Sequence, residues 1–138
     1  MRPNFTAAMG KHPASIGAAL AVISLPVHFL LSANISHQIA AVALALIAGV
    51  YVGFAVQDGR PRILVAEGLV ALAFFAAAFA GLIVSHWVIP LAYLMHGLWD
   101  LAHHRRVKTS MPAWDVPLCA VYDWVFAAGL TTAWILHG

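Results

Sequence analysis

The chain has 138 residues, of which 63% are hydrophobic and 9% charged, with a net charge of +2. Soluble domains carry about 25% charged residues, so this chain has too few charges to cover a surface that faces water throughout. Seven Lys and Arg residues are also too few for a nucleic-acid-binding surface, and the single cysteine excludes an internal disulfide and a cysteine-cluster metal site.

Five apolar segments follow one another along the chain, separated by polar or turn-forming residues. Each has about the 17–25 residues that a helix needs to cross a bilayer. The first is too long for the apolar core of a cleaved signal peptide, so we expect a retained helix. The sequence therefore predicts one all-α domain, a polytopic membrane bundle of five transmembrane helices. The predicted helices cover about 14–33, 37–56, 63–84, 86–103 and 112–136.

The positions of the basic residues test this division independently. Those residues are Arg2, Lys11, Arg60, Arg62, Arg105, Arg106 and Lys108. With five spans, all seven lie on one side of the membrane, which is the cytoplasmic side by the positive-inside rule. Four spans would place some of these clusters on opposite sides. We therefore predict a multi-pass inner-membrane protein with a cytoplasmic N-terminus and an external C-terminus.

The fourth predicted helix carries the densest group of ionisable residues. His96, Asp100 and His103 have i, i+4, i+7 spacing and share one helix face, and His104 lies at its edge. Imidazole and carboxylate together are a suitable ligand set for Zn, Fe or Mn. We predict these four residues as metal ligands.

Two further acids lie at compatible depths on neighbouring helices. Glu67 is about one turn into the third predicted helix, and Asp123 is near the middle of the fifth. An unpaired carboxylate in a membrane costs about 2.5–3.5 kcal/mol even on insertion scales, so such residues indicate a functional site. We predict both as catalytic carboxylates, with one that does not bind metal acting as a general base. A tyrosine hydroxyl could join the pocket, and the candidates are Tyr51, Tyr93 and Tyr122.

Simpler interpretations exist for each of these histidines. His103 and His104 adjoin a basic stretch, which is typical of solvated residues at the membrane interface. His96 and Asp100 could instead be a neutral hydrogen-bonded pair that holds helices together. His28, close to Pro26, is typical of a packing or kink residue. Three more histidines fall at the predicted outer boundary, where interfacial placement explains them more simply than a second site: His37, His86 and His137.

Several stretches resemble small bacterial membrane proteins that are grouped only as a domain of unknown function. They are residues 51–55 (YVGFA) with 58–60 (DGR), 96–104 (HGLWDLAHH), 112–114 (PAW) and 119–124 (CAVYDW). The resemblance covers most of the chain from the second helix onward. It implies a compact helical membrane fold and supplies no activity.

A looser resemblance is to the histidine-box membrane enzymes, the fatty-acid desaturases and hydroxylases. His103 and His104 are similar to their paired histidines. Those enzymes use several separate boxes, however, whereas this chain has one dense cluster. Membrane hydrolases that hold zinc with His and Asp are also similar in part, but they have more spans.

Two functions of different classes follow from the sequence. One is a metal-dependent enzyme in which the metal activates water or dioxygen against a lipid, isoprenoid or other apolar substrate. The other is a non-catalytic accessory subunit of a larger membrane complex, or a homo-oligomer. A small transporter or proton-relay protein ranks below both, because no inverted repeat is visible. Membrane lipids are the expected partners in every case, and nucleic acid is not.

Overall fold

The computed structural model describes residue 7, residues 10–106 and residues 111–137, with residues 104–106 described as helical backbone only. The described residues form α-helices joined by short connections, which confirms the predicted all-α class. The helices with described bounds are α1 (Pro13–Ser24), α2 (Pro26–Leu30), α3 (Ala33–Asp58), α4 (Pro61–Ile83), α5 (Val88–Arg106) and α6 (Asp115–His137).

Proline and glycine set several of these helix boundaries. Pro13, Pro26 and Pro61 each stand at the start of a helix, where a missing N–H costs nothing and the fixed φ already suits the helix. Gly59 ends α3 with a φ of 77°, in the left-handed region that glycine adopts without strain.

The first apolar segment is divided, which corrects the single helix predicted over 14–33. Ser24 ends α1 and Pro26 begins α2, with Leu25 in helical conformation between them. Pro26 has no N–H to bond the carbonyl four residues earlier, and its ring crowds that carbonyl. The backbone hydrogen-bond ladder of the helix is therefore interrupted at Pro26.

Four segments among the described residues are long and apolar enough to cross a membrane: Pro13–Leu30, Ala33–Asp58, Pro61–Ile83 and Asp115–His137. Helix α5, which we also predicted as a span, is not among them. Its hydropathy is lowered by the same residues that form the candidate site, among them His96, Asp100 and His103. Five spans and their orientation therefore remain predictions.

Helix α5 lies at the centre of the packing. It contacts α4, α6 and α3, while α3 packs along α4 and α1 packs along α6. Small residues permit the closest approaches. A Cβ at Gly17 would strike the main-chain carbonyl of Leu118 on α6, and one at Gly97 would strike the indole of Trp124. These contacts draw α1 and α5 against α6.

The surface of the bundle is apolar on every long helix. Large apolar side chains are exposed from α1 to α6, including Leu30 (83%), Leu46 (69%) and Leu136 (73%). A soluble monomer rarely exposes contiguous apolar area on this scale. Together with the few charges in the chain, this surface indicates a protein covered by lipid.

One end of the bundle gathers aromatic and histidine side chains. The buried Oγ of Ser36 accepts a hydrogen bond from Trp134 Nε1 at 2.7 Å and bonds Nδ1 of His28 at 2.8 Å. His37 and His86 stack with ring centroids 4.4 Å apart. His28 is therefore a buried packing residue, in line with the simpler interpretation of that histidine.

The opposite end carries an exposed ion pair next to the α3–α4 turn. Arg60 donates hydrogen bonds to both carboxylate oxygens of Asp58, at 2.5 and 2.9 Å. This bonding raises the pKa of the Arg60 guanidinium above its ordinary value. The two opposite charges therefore lie together in the short turn that joins α3 and α4.

Candidate metal centre

The inward face of α5 carries the site. His96, Asp100 and His103 are 1%, 0% and 2% exposed, and their spacing of four and three residues stacks them on one side of the helix. Residues between them, such as Leu98 and Leu101, are exposed. The helix is therefore amphipathic in the inverted sense, with its polar side facing protein and its apolar side outside.

Helix α4 faces α5 in antiparallel register. Glu67 Oε1 lies 2.6 Å from His103 Nε2, and seven residues further along α4 the ring of Phe74 contacts His96, with centroids 4.7 Å apart. Because both pairs are spaced by seven residues, two turns of one helix match two turns of the other. This register places the carboxylate of Glu67, the one ionisable side chain among the buried residues described for α4, against α5.

Helices α3 and α6 close the other sides. On α3, Tyr51 shares a buried face with Ala48 and Ala55, and its hydroxyl donates a hydrogen bond to Asp100 Oδ1. On α6, Asp123 is fully buried and faces α5. Four helices thus contribute one connected polar cluster to an otherwise apolar interior.

His96, Asp100 and Asp123 form the group whose geometry suits a metal ion, and we call them the trio. His96 Nδ1 lies 2.7 Å from Asp123 Oδ2 and 3.7 Å from Asp100 Oδ1. One ligand atom from each residue lies within 4.8 Å of the others, and all three residues are buried. A single cation can therefore contact all three.

Many polar atoms of this cluster have no hydrogen-bond partner although they are buried. They are both carboxylate oxygens of Glu67, His96 Nε2, Trp99 Nε1, Asp100 Oδ2, His103 Nε2 and Asp123 Oδ1. Buried polar atoms are nearly always satisfied, and each exception calls for an explanation such as an ion or ordered water. Because these orphaned atoms concentrate in one cluster, they indicate a bound species rather than scattered packing defects.

The charge of the cluster leads to the same conclusion. Three carboxylates, from Glu67, Asp100 and Asp123, stand against two imidazoles, so full ionisation leaves at least one uncompensated negative charge. An unpaired buried charge is strongly unfavourable, and such groups either take up protons or bind a cation. A divalent cation would satisfy both the charge and the free lone pairs.

The residues predicted from the sequence divide into three sets here. His96 and Asp100 lie together as predicted ligands, and Asp123, predicted as a catalytic carboxylate, joins them. His103 lies instead beside Glu67. The side chain of His104 lies outside the described residues. Catalytic roles for Glu67 and Asp123, and metal ligation by His103 and His104, stay predictions.

The structure also tests the simpler interpretations of His103 and of the His96–Asp100 pair. A solvated interfacial position is wrong for His103, because it is 2% exposed. A pair of His96 with Asp100 alone is also incomplete, because Asp123 lies 1 Å closer to the same nitrogen. The structure therefore favours a shared pocket over separate packing contacts.

Tyr51 is the site residue that the sequence did not single out from the other tyrosines. Its ring contacts those of His96 and His103, with centroids 5.6 and 5.1 Å apart. The available signal was its spacing from small residues on α3, because Ala48 and Ala55 mark the face that packs inward. By contrast, Tyr93 donates to the main-chain carbonyl of Ala40 and not to a residue of the trio.

Comparison with known proteins gives a family but no activity. No curated protein and no solved structure matches the chain. A family model described as a family of unknown function, DUF6010, matches residues 12–138. Since this match covers nearly the whole chain, including every helix of the site, the protein belongs to the family of unknown function DUF6010.

Proposed function

We propose that this protein is a membrane-embedded, metal-dependent enzyme that acts on a lipid or another long apolar substrate. The observation that carries the proposal is the trio, a buried histidine with two carboxylates among polar atoms that lack partners. A purely structural cluster would be expected to pair these atoms with one another.

The donor set defines the class of metal. One imidazole with two carboxylates suits Zn, Fe or Mn. Substrate or water would bind at the coordination positions of the metal that the protein leaves open. Such a metal supplies Lewis-acid activation of water or dioxygen near neutral pH. The chain's own contribution is to hold the ligands rigidly, since Tyr51 fixes one oxygen of Asp100 by a hydrogen bond.

An apolar groove on the outside of the bundle supports a lipid substrate. Its cavity of about 300 Å³ lies between α3 and α6 and is lined by Leu46, Ile47, Leu118 and Tyr122, with Asp123 also on its wall. A second hollow of about 450 Å³ continues along α3 and shares Leu46 with the first. An acyl or isoprenoid chain in this groove would lie in the lipid-facing surface, beside the segment of α6 that carries Asp123.

The burial of α5 supports a fifth membrane crossing. Its polar side chains face α3, α4 and α6 rather than lipid, so the free-energy cost of exposing ionisable side chains to hydrocarbon is avoided. Leu91, Leu94 and Leu98 are on its exposed side. We therefore retain five spans with the N-terminus cytoplasmic, and cysteine-accessibility mapping from both sides of the membrane tests it.

Metal analysis of the purified full-length protein tests the metal centre. We expect stoichiometric Zn, Fe or Mn in the wild type and a lower metal content in Asp123→Asn and His96→Ala, which lose the ion bound by the trio. Asp115→Asn is the matched control, because it removes a carboxylate from the same helix outside the trio. Absence of stoichiometric metal in the wild type would contradict the proposal.

Photocrosslinking tests the groove separately. A lipid with a diazirine in its acyl chain should label the α6 segment that contains Leu118 and Tyr122. Ala43→Trp, which fills the groove, should lower that labelling at least fivefold. Ala76→Trp places the same ring on exposed α4 and should leave labelling unchanged. Equal labelling of both variants would remove the support for an apolar substrate at this site.

A proton relay is the second candidate, and one observation favours it. Protonatable groups lie in successive contacts, from Glu67 and His103 to Tyr51 and Asp100 and then to the remaining trio residues. Proton flux in metal-free proteoliposomes that disappears in Glu67→Gln would favour this function. Flux no greater than in empty liposomes would exclude it.

A further inference from the structure

We propose that Glu67 and His103 form a second metal-binding subsite, so that the pocket holds two divalent cations. This inference rests on the proposed function, because it places the second cation beside the trio. It extends that function by assigning a ligand role to a carboxylate and a histidine that the trio does not include.

The contact between these two side chains is close but is not a hydrogen bond. Glu67 Oε1 and His103 Nε2 are 2.6 Å apart, yet both atoms lack hydrogen-bond partners, as does Glu67 Oε2. The ring N–H direction therefore does not point at the carboxylate. An ordinary buried ion pair would align the donor with the acceptor.

Two side chains that bind a common cation show this arrangement. Ligands about 2.1 Å from one tetrahedral metal ion lie about 3.4 Å from each other, with both lone pairs directed at the metal rather than at the neighbour. Glu67 and His103, now 2.6 Å apart, would need to separate by about 0.8 Å to bind such an ion. Both are at least 98% buried, so bulk water does not satisfy them.

Tyr51 connects this subsite to the trio. Its ring contacts both His96 and His103, and its hydroxyl is bonded to Asp100, which stands between the two histidines on α5. Asp100 Oδ2 remains without a partner. The two groups of ligands therefore belong to one pocket and are separated by about one aromatic ring.

The charge of the cluster is also compatible with a second cation. A divalent ion in the trio balances the carboxylates of Asp100 and Asp123 and leaves Glu67 uncompensated if His103 is neutral. A second divalent ion satisfies Glu67 and binds the neutral imidazole nitrogen, which is the form that ligates metals.

Zinc stoichiometry of the intact protein tests the inference. Protein loaded with ZnCl₂ and desalted should hold two zinc ions per chain by mass spectrometry of the metal. Glu67→Gln and His103→Gln should each hold one, and Asp123→Asn should keep only the ion bound by this pair. The double variant Glu67→Gln/Asp123→Asn should hold none, and Asp115→Asn should hold two.

The outcomes separate this inference from the proposed function. One zinc ion in the wild type, unchanged in Glu67→Gln and lost in Asp123→Asn, would show that the pair is a structural ion pair while the trio binds metal. No zinc in the wild type would overturn both. A wild-type count below two overturns the inference even if a variant fails to fold, and a count of two supports it only where Glu67→Gln or His103→Gln removes one ion.

Discussion

Replacing Asp123 with Asn separates the metal-binding role of the trio from its role in packing. The substitution keeps the shape of the side chain and a hydrogen-bond acceptor for His96 Nδ1, which now lies 2.7 Å from Asp123 Oδ2. It removes the negative charge that a cation requires. Without metal, we expect the variant to unfold with a free energy within about 1 kcal/mol of the wild type, because one hydrogen bond is exchanged for another.

With metal present, the two proteins should differ strongly. At a metal concentration 100 times the dissociation constant, binding stabilises the wild type by about 2.7 kcal/mol. Loss of a supporting carboxylate weakens metal affinity by about 10–100-fold, and loss of a direct ligand lies at or beyond the upper end. A 100-fold loss leaves about 0.4 kcal/mol of stabilisation at the same concentration.

The assay is unfolding in detergent, with and without added Zn²⁺ or Mn²⁺, on the wild type, Asp123→Asn and Asp115→Asn. Only Asp123→Asn should lose the part of the metal-dependent increase in stability that the trio provides, so its increase should be the smallest of the three. If all three proteins show the same increase, the cation binds elsewhere and the assignment of the trio is wrong. If Asp123→Asn is much less stable even without metal, the carboxylate is needed for packing.

Three further substitutions test the contacts around the site and in the bundle. Tyr51→Phe leaves Asp100 Oδ1 unpaired and should lower the free energy of unfolding by about 1–3 kcal/mol, with metal binding weakened as well. Gly17→Ala should cost about 1–3 kcal/mol because its methyl strikes a main-chain carbonyl of α6, whereas Gly68→Ala meets open space and should be neutral or stabilising. Ser36→Ala leaves Trp134 Nε1 and His28 Nδ1 without their buried hydrogen-bond partner and should lower stability without changing metal content, as thermal unfolding with metal analysis would show.

The sequence predicts the helices well where length and hydropathy decide the matter. The helix expected over 37–56 runs over Ala33–Asp58, and the one expected over 63–84 runs over Pro61–Ile83. The first segment was predicted less well, because overall hydropathy outweighed the local effect of Pro26. A proline inside an apolar segment changes the hydrogen-bond ladder without changing the hydropathy that identifies the segment.

The candidate site was predictable only within one helix. The spacing of His96, Asp100 and His103 indicates a shared face, and burial of all three agrees with that reading. Which of them meets Glu67 and which meets Asp123 depends on the register between α4, α5 and α6. That register is set by side-chain packing between helices, which periodicity within one helix does not encode.

The shortfall of α5 in hydropathy is itself informative about function. A helix that only had to cross a membrane could carry apolar residues at every position of its inward face. Helix α5 keeps three ionisable residues there, and the bundle surrounds that face with α3, α4 and α6. Keeping a carboxylate in this setting carries a cost of about 2.5–3.5 kcal/mol unless something compensates it. Hydrogen bonds from Tyr51 compensate only part of the cluster, since so many of its atoms have no partner. A polar face that lowers the hydropathy of its own helix and keeps many buried atoms without partners supports the proposal that this cluster binds metal ions.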